Sequence, residues 1–261
     1  MNQPDYKNWI PKWMICSGAV GTAVSVILLL IFIITLRGTA RAVLSIVFAL
    51  ASVLMCVYLV WSVIAYNAFS YTGRRRLSKD IIESTAGFVK LESGQTALDI
   101  GCGSGALAIA VAKRNPSAKV IGCDRWGKEY AEFSMKLCAD NAKAEKAENV
   151  VFQKGDATAL PFADEQFDAV VSNYVYHNIP TKDRQAVLLE TLRTLKKGGT
   201  FAIHDIFSRQ KYGDMDSFIR KLYDMGYEKV ELINTTNGRF MSAKESKLLF
   251  LRESKLLVGK K

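Results

Sequence analysis

Residues 96–107, Thr96-Ala97-Leu98-Asp99-Ile100-Gly101-Cys102-Gly103-Ser104-Gly105-Ala106-Leu107, decide the fold class. A short apolar run ends in three glycines at alternate positions, and an alanine-rich segment follows. That order is a strand, a tight turn and a helix. The glycines permit the turn and let a ligand approach backbone N–H groups, while the helix N-terminus favours an anionic group. The spacing is G-x-G-x-G. A dinucleotide loop has G-x-G-x-x-G, whose third glycine would fall on Ala106, a position that tolerates alanine, so the loop alone leaves both nucleotide-binding patterns open.

Outward from this loop, short β runs alternate with amphipathic helices from about Ser78 onward, the pattern of a parallel sheet covered on both faces. Strands are expected at 96–100, 119–124, 150–154, 167–172, 200–206, 229–234 and 255–260. Helices are expected at 78–89, with Ser78 as N-cap, and at 105–114, 127–143, 182–195 and 214–225, with Gly198-Gly199 and Gly226 as C-terminal stops. Residues 241–251 read as a short helix through the Ser242/Glu245 capping box, although Leu248, Leu249 and Phe250 also suit a strand. The fold class is α/β, a doubly wound sheet.

Two carboxylates sit where such a sheet meets a nucleoside. Asp124 ends the second strand 23 residues after Gly101, where it can accept both ribose hydroxyls. Asp156 follows the third strand in Gly155-Asp156-Ala157 and can accept an exocyclic amine of adenine. Taken together, LDIGCGSG, GCD, GDATALPFADEQFDAVVSNYVYHNI and LKKGGTFAI resemble the class I S-adenosylmethionine-dependent methyltransferases, particularly the branch of quinone C-methyltransferases. The resemblance covers roughly residues 78–261 and implies a Rossmann-like seven-stranded methyltransferase sheet with S-adenosyl-L-methionine as cofactor. By position it implies that Gly101, Gly103 and Gly105 line the methionine end, with Asp99 near the amino group. Asp124 holds the ribose and Asp156, with Ala157, the adenine. Arg125 also counts among the cofactor contacts, and Trp126 either covers the adenine or packs on the next helix. Asn173 edges the reaction chamber.

The family methylates carbon, nitrogen, oxygen, sulfur and arsenic, so the resemblance does not choose an acceptor. A sulfonium methyl is already electrophilic, and positioning alone reaches effective molarities of about 10⁵–10⁸ M, so a general base is not required. Tyr174 and Tyr176 can face the sulfonium, although alternation at a strand end buries one of them. His177 and His204 follow or end strands, where open α/β sheets place ligands. His177 is a candidate for substrate contact or proton acceptance, or else for hydrogen bonding within its loop. His204 and Asp205 are catalytic candidates or strand residues facing a helix. Cys102 reads as a small residue beside the cofactor. With five cysteines, no C-x-x-C pair and two histidines, neither a disulfide framework nor a metal site is expected.

Before residue 78 the composition changes. The 261 residues are 49% hydrophobic and the mean hydropathy of +0.08 is high for an average soluble chain. The excess lies in two charge-free runs, 15–36 and 43–66, each long enough to cross a hydrocarbon core of roughly 30 Å. A signal peptide ending at Ala40-Arg41-Ala42 fits less well, because its apolar part would exceed the usual length of about 7–15 residues. The expected organisation is a cytoplasmic segment 1–14, transmembrane helices 15–36 and 43–66 joined by an external loop 37–42, a basic linker 67–77 and the methyltransferase domain 78–261. Lys7, Lys12, Arg74, Arg75, Arg76 and Lys79 outweigh Arg37 and Arg41, which puts both ends and the domain on the cytoplasmic side. Gly18, Thr22 and Ser25 in the first run and Ser45, Ala49, Ser52 and Cys56 in the second suit close hairpin packing or a homodimer.

Of the net charge of +10, residues 1–80 hold eight basic and two acidic side chains, and residues 81–261 hold 27 and 23. The domain is therefore only mildly basic and carries no aromatic-interleaved basic stripe, so nucleic acid is not an expected partner. The expected function is a membrane-anchored transfer of methyl groups to a small, hydrophobic or lipid-like acceptor. A non-catalytic cofactor-binding membrane protein and a nucleotide-dependent oxidoreductase are the alternatives.

Overall fold

A computed structural model describes residues 3–127 and 132–261, in two compact units: 8–79, and 80–261 together with the segment up to Lys7.

The first unit is a helical hairpin of α1 (Lys12–Thr35) and α2 (Gly38–Phe69). Both helices are long and apolar enough to cross a membrane. Only Leu36 and Arg37 separate them. Residues 38–42 of the expected loop are helical, because charge marks where an apolar run stops, whereas backbone hydrogen bonding continues through Thr39-Ala40-Arg41-Ala42. Gly18 lets the helices approach: a Cβ there would lie 3.0 Å from Leu59 Cα and 3.1 Å from Tyr58 Cδ1. A Cβ on Gly21 would lie 2.8 Å from Met55 Sδ. Thr22, Ser25, Ser52 and Ser62 turn their hydroxyls back onto carbonyls of their own helices, which satisfies polar groups without water. Cys56, expected in the small-residue stripe, is exposed instead. Helix α3 (Leu77–Ala86) begins one residue before the expected Ser78 cap. The Ser78 hydroxyl donates to the Phe69 carbonyl at 2.7 Å rather than capping its own helix.

In the second unit seven strands form one sheet: β1 (Thr96–Ile100), β2 (Lys119–Asp124), β3 (Val150–Lys154), β4 (Phe167–Asn173), β5 (Leu195–Ile206), β6 (Glu228–Asn234) and β7 (Ser254–Lys260). Their order is β3-β2-β1-β4-β5-β7-β6. The first five are parallel, and β7 runs antiparallel to both β5 and β6. The strand order reverses between β1 and β4, and a crevice opens at the C-terminal ends of strands at such a switch point. β1 and β4 are almost wholly buried, which explains why they read as continuous apolar runs rather than alternating ones.

Around the sheet pack α4 (Ala106–Arg114), α5 (Met135–Ala144), α6 (Arg184–Arg193), α7 (Arg209–Tyr212), α8 (Met215–Asp224) and α9 (Ala243–Leu248). Ser134, Asp183, Asp214 and Ser242 cap α5, α6, α8 and α9 through their side chains, and the expected capping box at Ser242/Glu245 is formed. The helix expected at 127–143 begins only at Met135, where the Ser134 hydroxyl caps it; Gly127 and residues 132–134 are not helical, and residues 128–131 of that expectation lie outside the described residues. Gly198 and Gly199 do not stop a helix. Helix α6 ends at Arg193, and the glycine pair forms an irregularity inside β5, where the pairing with β4 shifts register. A Cβ on Gly199 would lie 2.7 Å from Leu195 Cδ1 and 2.9 Å from the Asp168 carbonyl, so only glycine fits.

Replacing Gly18 by isoleucine should push α1 from α2 and destabilise the hairpin by about 1–3 kcal/mol. Steric-trapping measurements of hairpin opening in lipid check this, and unchanged opening contradicts the packing.

Candidate active site

The glycine bend leaves β1 at the switch point. Gly101, Gly103 and Gly105 all have left-handed backbone, with φ of 68°, 55° and 82°. A Cβ on Gly101 would lie 2.3 Å from Val175 Cγ2, whereas one on Gly103 would meet, among the described residues, nothing nearer than Phe133 Cδ2 at 4.0 Å. Gly101 is thus glycine for packing and conformation, and Gly103 for conformation. The Gly103 peptide is held at both ends. Its N–H donates to Asp124 Oδ2 at 2.8 Å, and its carbonyl accepts from Trp126 Nε1 at 3.0 Å and Cys138 Sγ at 3.1 Å. Asp124 Oδ1 accepts the Trp126 N–H at 2.7 Å, so one carboxylate ties the loop after β1 to the loop after β2. Trp126 takes a left-handed backbone, φ 44°, and its indole edges the glycine bend.

Asp99, one residue before the β1 terminus, is buried, and its Oδ2 has no hydrogen-bond partner among the described residues. Burial pushes its carboxyl well above the ordinary carboxylate range. Asp156 Oδ1 accepts both the N–H and the hydroxyl of Thr158, at 2.8 and 2.7 Å, which lowers its pKa. The following turn is fastened by Glu190, which accepts the Leu160 N–H, and by Arg193, which donates to the Phe162 carbonyl. Arg125 is exposed and Ala157 half-buried beside the core. Cys102 is buried, and burial raises its thiol pKa, consistent with a packing role rather than a nucleophile.

Across the crevice, the residues after β4 form a second polar group. His177 Nδ1 lies 2.5 Å from Asp205 Oδ1, and the His177 N–H donates to Asp205 Oδ2 at 3.3 Å. Asp205 is fully buried, while the His177 side chain retains 14% exposure. The loop carrying His177 is stapled from below. Arg184 donates to the Tyr176 and Ile179 carbonyls, each at 3.1 Å, and Lys211 Nζ donates to the His177 carbonyl at 3.0 Å. His204 is wholly enclosed, with Nδ1 2.8 Å from Asn173 Oδ1 and Nε2 3.0 Å from Thr235 Oγ1. Burial pushes its pKa down to about 3, so it is neutral. The Asn173 side chain is therefore turned toward His204. Tyr176, fully buried, reaches Thr191 at 2.8 Å and belongs to the core. Tyr174 lies edge-on to both His177 and His204 and reaches Ser254 at 2.7 Å.

Residues 91–252 match the family described as a methyltransferase domain. The chain belongs to that family. It is 30% identical over 165 residues to a demethylmenaquinone methyltransferase of Lactobacillus johnsonii, covering 59% of this chain and 65% of the relative. It is 38% identical over 115 residues to a 2-phytyl-1,4-naphtoquinone methyltransferase of Synechococcus elongatus, covering 43% and 46%. The chain thus spans between about half and two thirds of the length of these curated relatives. A phosphoethanolamine N-methyltransferase 2 of Haemonchus contortus, solved with S-adenosyl-L-methionine, shares the fold. Its TM-score is 0.52 at 19% identity, covering 75% of this chain and 54% of that one.

Sequence reasoning missed two supports of the methyltransferase bend, Cys138 and Asn141, both on the buried face of α5. A polar asparagine on the apolar side of an amphipathic helix was the available signal. Changing Gly101 to alanine should destabilise the domain, by about 1–2 kcal/mol from its left-handed backbone and about 1–3 kcal/mol from collision with Val175. Thermal unfolding checks this, and a melting temperature equal to wild type contradicts it.

Proposed function

We propose that the domain transfers a methyl group from S-adenosylmethionine to a small hydrophobic acceptor, with the hairpin anchoring it at the cytoplasmic face of a membrane. The observation that carries the reading is a clamped glycine bend beside a buried carboxylate oxygen, Asp99 Oδ2, to which no described residue donates. Such an oxygen fits a protonated amine, and the space that the described residues leave over Gly103 fits a ligand at backbone distance. The cofactor, when bound, supplies an electrophilic methyl group. In this reading Asp99 takes the ammonium, and Gly101, Gly103 and Gly105 flank the methionine portion. Asp124 offers its remaining lone pairs to the ribose. Arg125, Asp156 and Ala157 border the adenine, and the Asn173 backbone edges the reaction chamber.

His177 is the proton acceptor of this proposal. With Nδ1–H donated to Asp205, the lone pair lies on Nε2, and the buried carboxylate fixes both tautomer and ring direction. That arrangement suits an acceptor that loses a proton as it is methylated, such as a phenol or quinol. His204 serves to position Asn173, since both its ring nitrogens are engaged. Two observations favour a hydrophobic acceptor: the hairpin, and relatives named for quinones, one of them bearing a phytyl chain. Cytoplasmic orientation rests on the basic residues that flank the hairpin ends.

Incubating the detergent-solubilised full chain with methyl-labelled cofactor and pooled quinols, phenols, thiols, amines and phospholipids tests the function. Labelled product is expected in a quinol or phenol pool, and its absence from every pool refutes the reading. His177→Ala should lower kcat by about 10²–10⁴-fold, with cofactor affinity unchanged, in single-turnover and calorimetric assays. The raised carboxyl of Asp99 makes a further expectation: an ammonium favours the ionised form, so cofactor binding expels a proton from the protonated fraction. Affinity should therefore rise with pH until Asp99 is fully ionised and weaken as pH falls, and Asp99→Asn should flatten that dependence in calorimetric titrations.

A further inference from the structure

Asn141 is 2% exposed on the inner face of α5, and its amide makes three hydrogen bonds. Nδ2 donates to the Ser104 carbonyl at 2.9 Å, inside the glycine bend. The same nitrogen donates to the Asp5 carbonyl at 2.9 Å, and Oδ1 accepts the Asp5 N–H at 2.7 Å. The two bonds to Asp5 are reciprocal, as between paired residues of a β-ladder, so the side chain stands in for a strand backbone. Asp5 is held in turn by its own carboxylate, which accepts the Lys7 N–H at 3.0 Å and pairs with Lys7 Nζ at 2.7 Å. Lys7 has a left-handed backbone, φ 58°, and Tyr6 is only 5% exposed. Residues 5–7 are thus a built turn, grouped with the domain although 72 residues of the other unit separate them from it in the chain.

Ser104 lies between Gly103 and Gly105, whose φ values require the bend to stay in one left-handed geometry. Asp124, Trp126 and Cys138 hold the Gly103 peptide, and Asn141 holds the next carbonyl. Removing Asp5 would strip two of the three bonds from a buried amide. The amide must then admit water or turn, and turning costs it Ser104.

We propose that residues 5–7 form a strap that acts through Asn141 to keep the glycine bend in its cofactor-binding shape. Asn141 is then a positioning residue, and the segment immediately before the hairpin is a working part of the cofactor site. This rests on the bend being the cofactor-binding element. It assigns to the stretch before the first apolar helix a role that topology signals alone would not give it. It also predicts that the domain cut from its strap holds cofactor less well than the full chain.

The test uses the full chain in lipid nanodiscs, with S-adenosylhomocysteine as the probe. Deleting residues 2–7 should raise its Kd about tenfold, the effect of roughly one hydrogen bond, and Asp5→Pro, which removes the N–H donor and the carboxylate that holds Lys7 but keeps the carbonyl that accepts from Asn141, should raise it less. In turnover the KM for cofactor should rise while kcat at saturation holds, a split that general destabilisation would not produce. Asn141→Ala should cost less in the deletion background than in the wild type, since both changes break the same link. Hydrogen exchange across residues 101–106 of the ligand-free chain should quicken on deletion. Wild-type Kd together with wild-type exchange after deletion overturns the strap. If the unaltered chain binds no S-adenosylhomocysteine, the cofactor reading fails and the exchange arm judges the strap: quickened exchange supports it as a support of the bend, and unchanged exchange refutes it.

Discussion

One carboxylate carries much of the site's geometry. Asp124 accepts the Gly103 N–H with one oxygen and the Trp126 N–H with the other, and so joins the loops that follow β1 and β2. Left-handed glycines cost conformational entropy and have no side chain to hold them in place. The bend must therefore be held from outside, and charge-assisted bonds to backbone N–H groups are among the stronger means available. Trp126 completes the clamp by returning its indole N–H to the same Gly103 peptide. A ribose that engages Asp124 would meet an acceptor already aimed by these two bonds, so little side-chain freedom remains to be lost on binding.

The polar group after β4 follows the same logic with different residues. Asp205 is buried at the end of β5 and orients His177, whose loop is in turn fixed by Arg184 and Lys211. His204, one residue earlier on the same strand, is spent on Asn173 and Thr235. Adjacent strand residues point to opposite faces, which explains why neighbouring positions 204 and 205 serve different purposes. The parallel strands bring both polar groups to one edge: β1 and β4 pair directly, with Ile100 beside Ser172, and Asn173 lies beside His204 across β4 and β5.

Much of this was legible from local pattern. β1, β2 and β3 lie where their apolar runs end in Gly, Asp and Gly-Asp, and the capping box at Ser242 settles an ambiguous segment as helix α9. The departures occur where a local signal has two physical meanings. Gly198-Gly199 suits a helix stop and a strand irregularity equally, and contact with Leu195 and Asp168 decides for the second. Ser78 suits an N-cap, but a carbonyl nine residues upstream claims its hydroxyl. Arg37 and Arg41 bound an apolar run without ending a helix, since helical hydrogen bonding is indifferent to hydropathy.

The order of residues by itself determined the alternating α/β pattern, the two apolar helices, and the glycines and carboxylates that mark a methyltransferase, because each depends on neighbours within a few positions. Only the tertiary structure decided that His177 pairs with Asp205 while His204 is enclosed between Asn173 and Thr235. It alone put Asp5 beside Asn141, at a separation of 136 residues. Such pairings depend on which strands lie side by side and which buried polar groups find partners, and no local spacing encodes them.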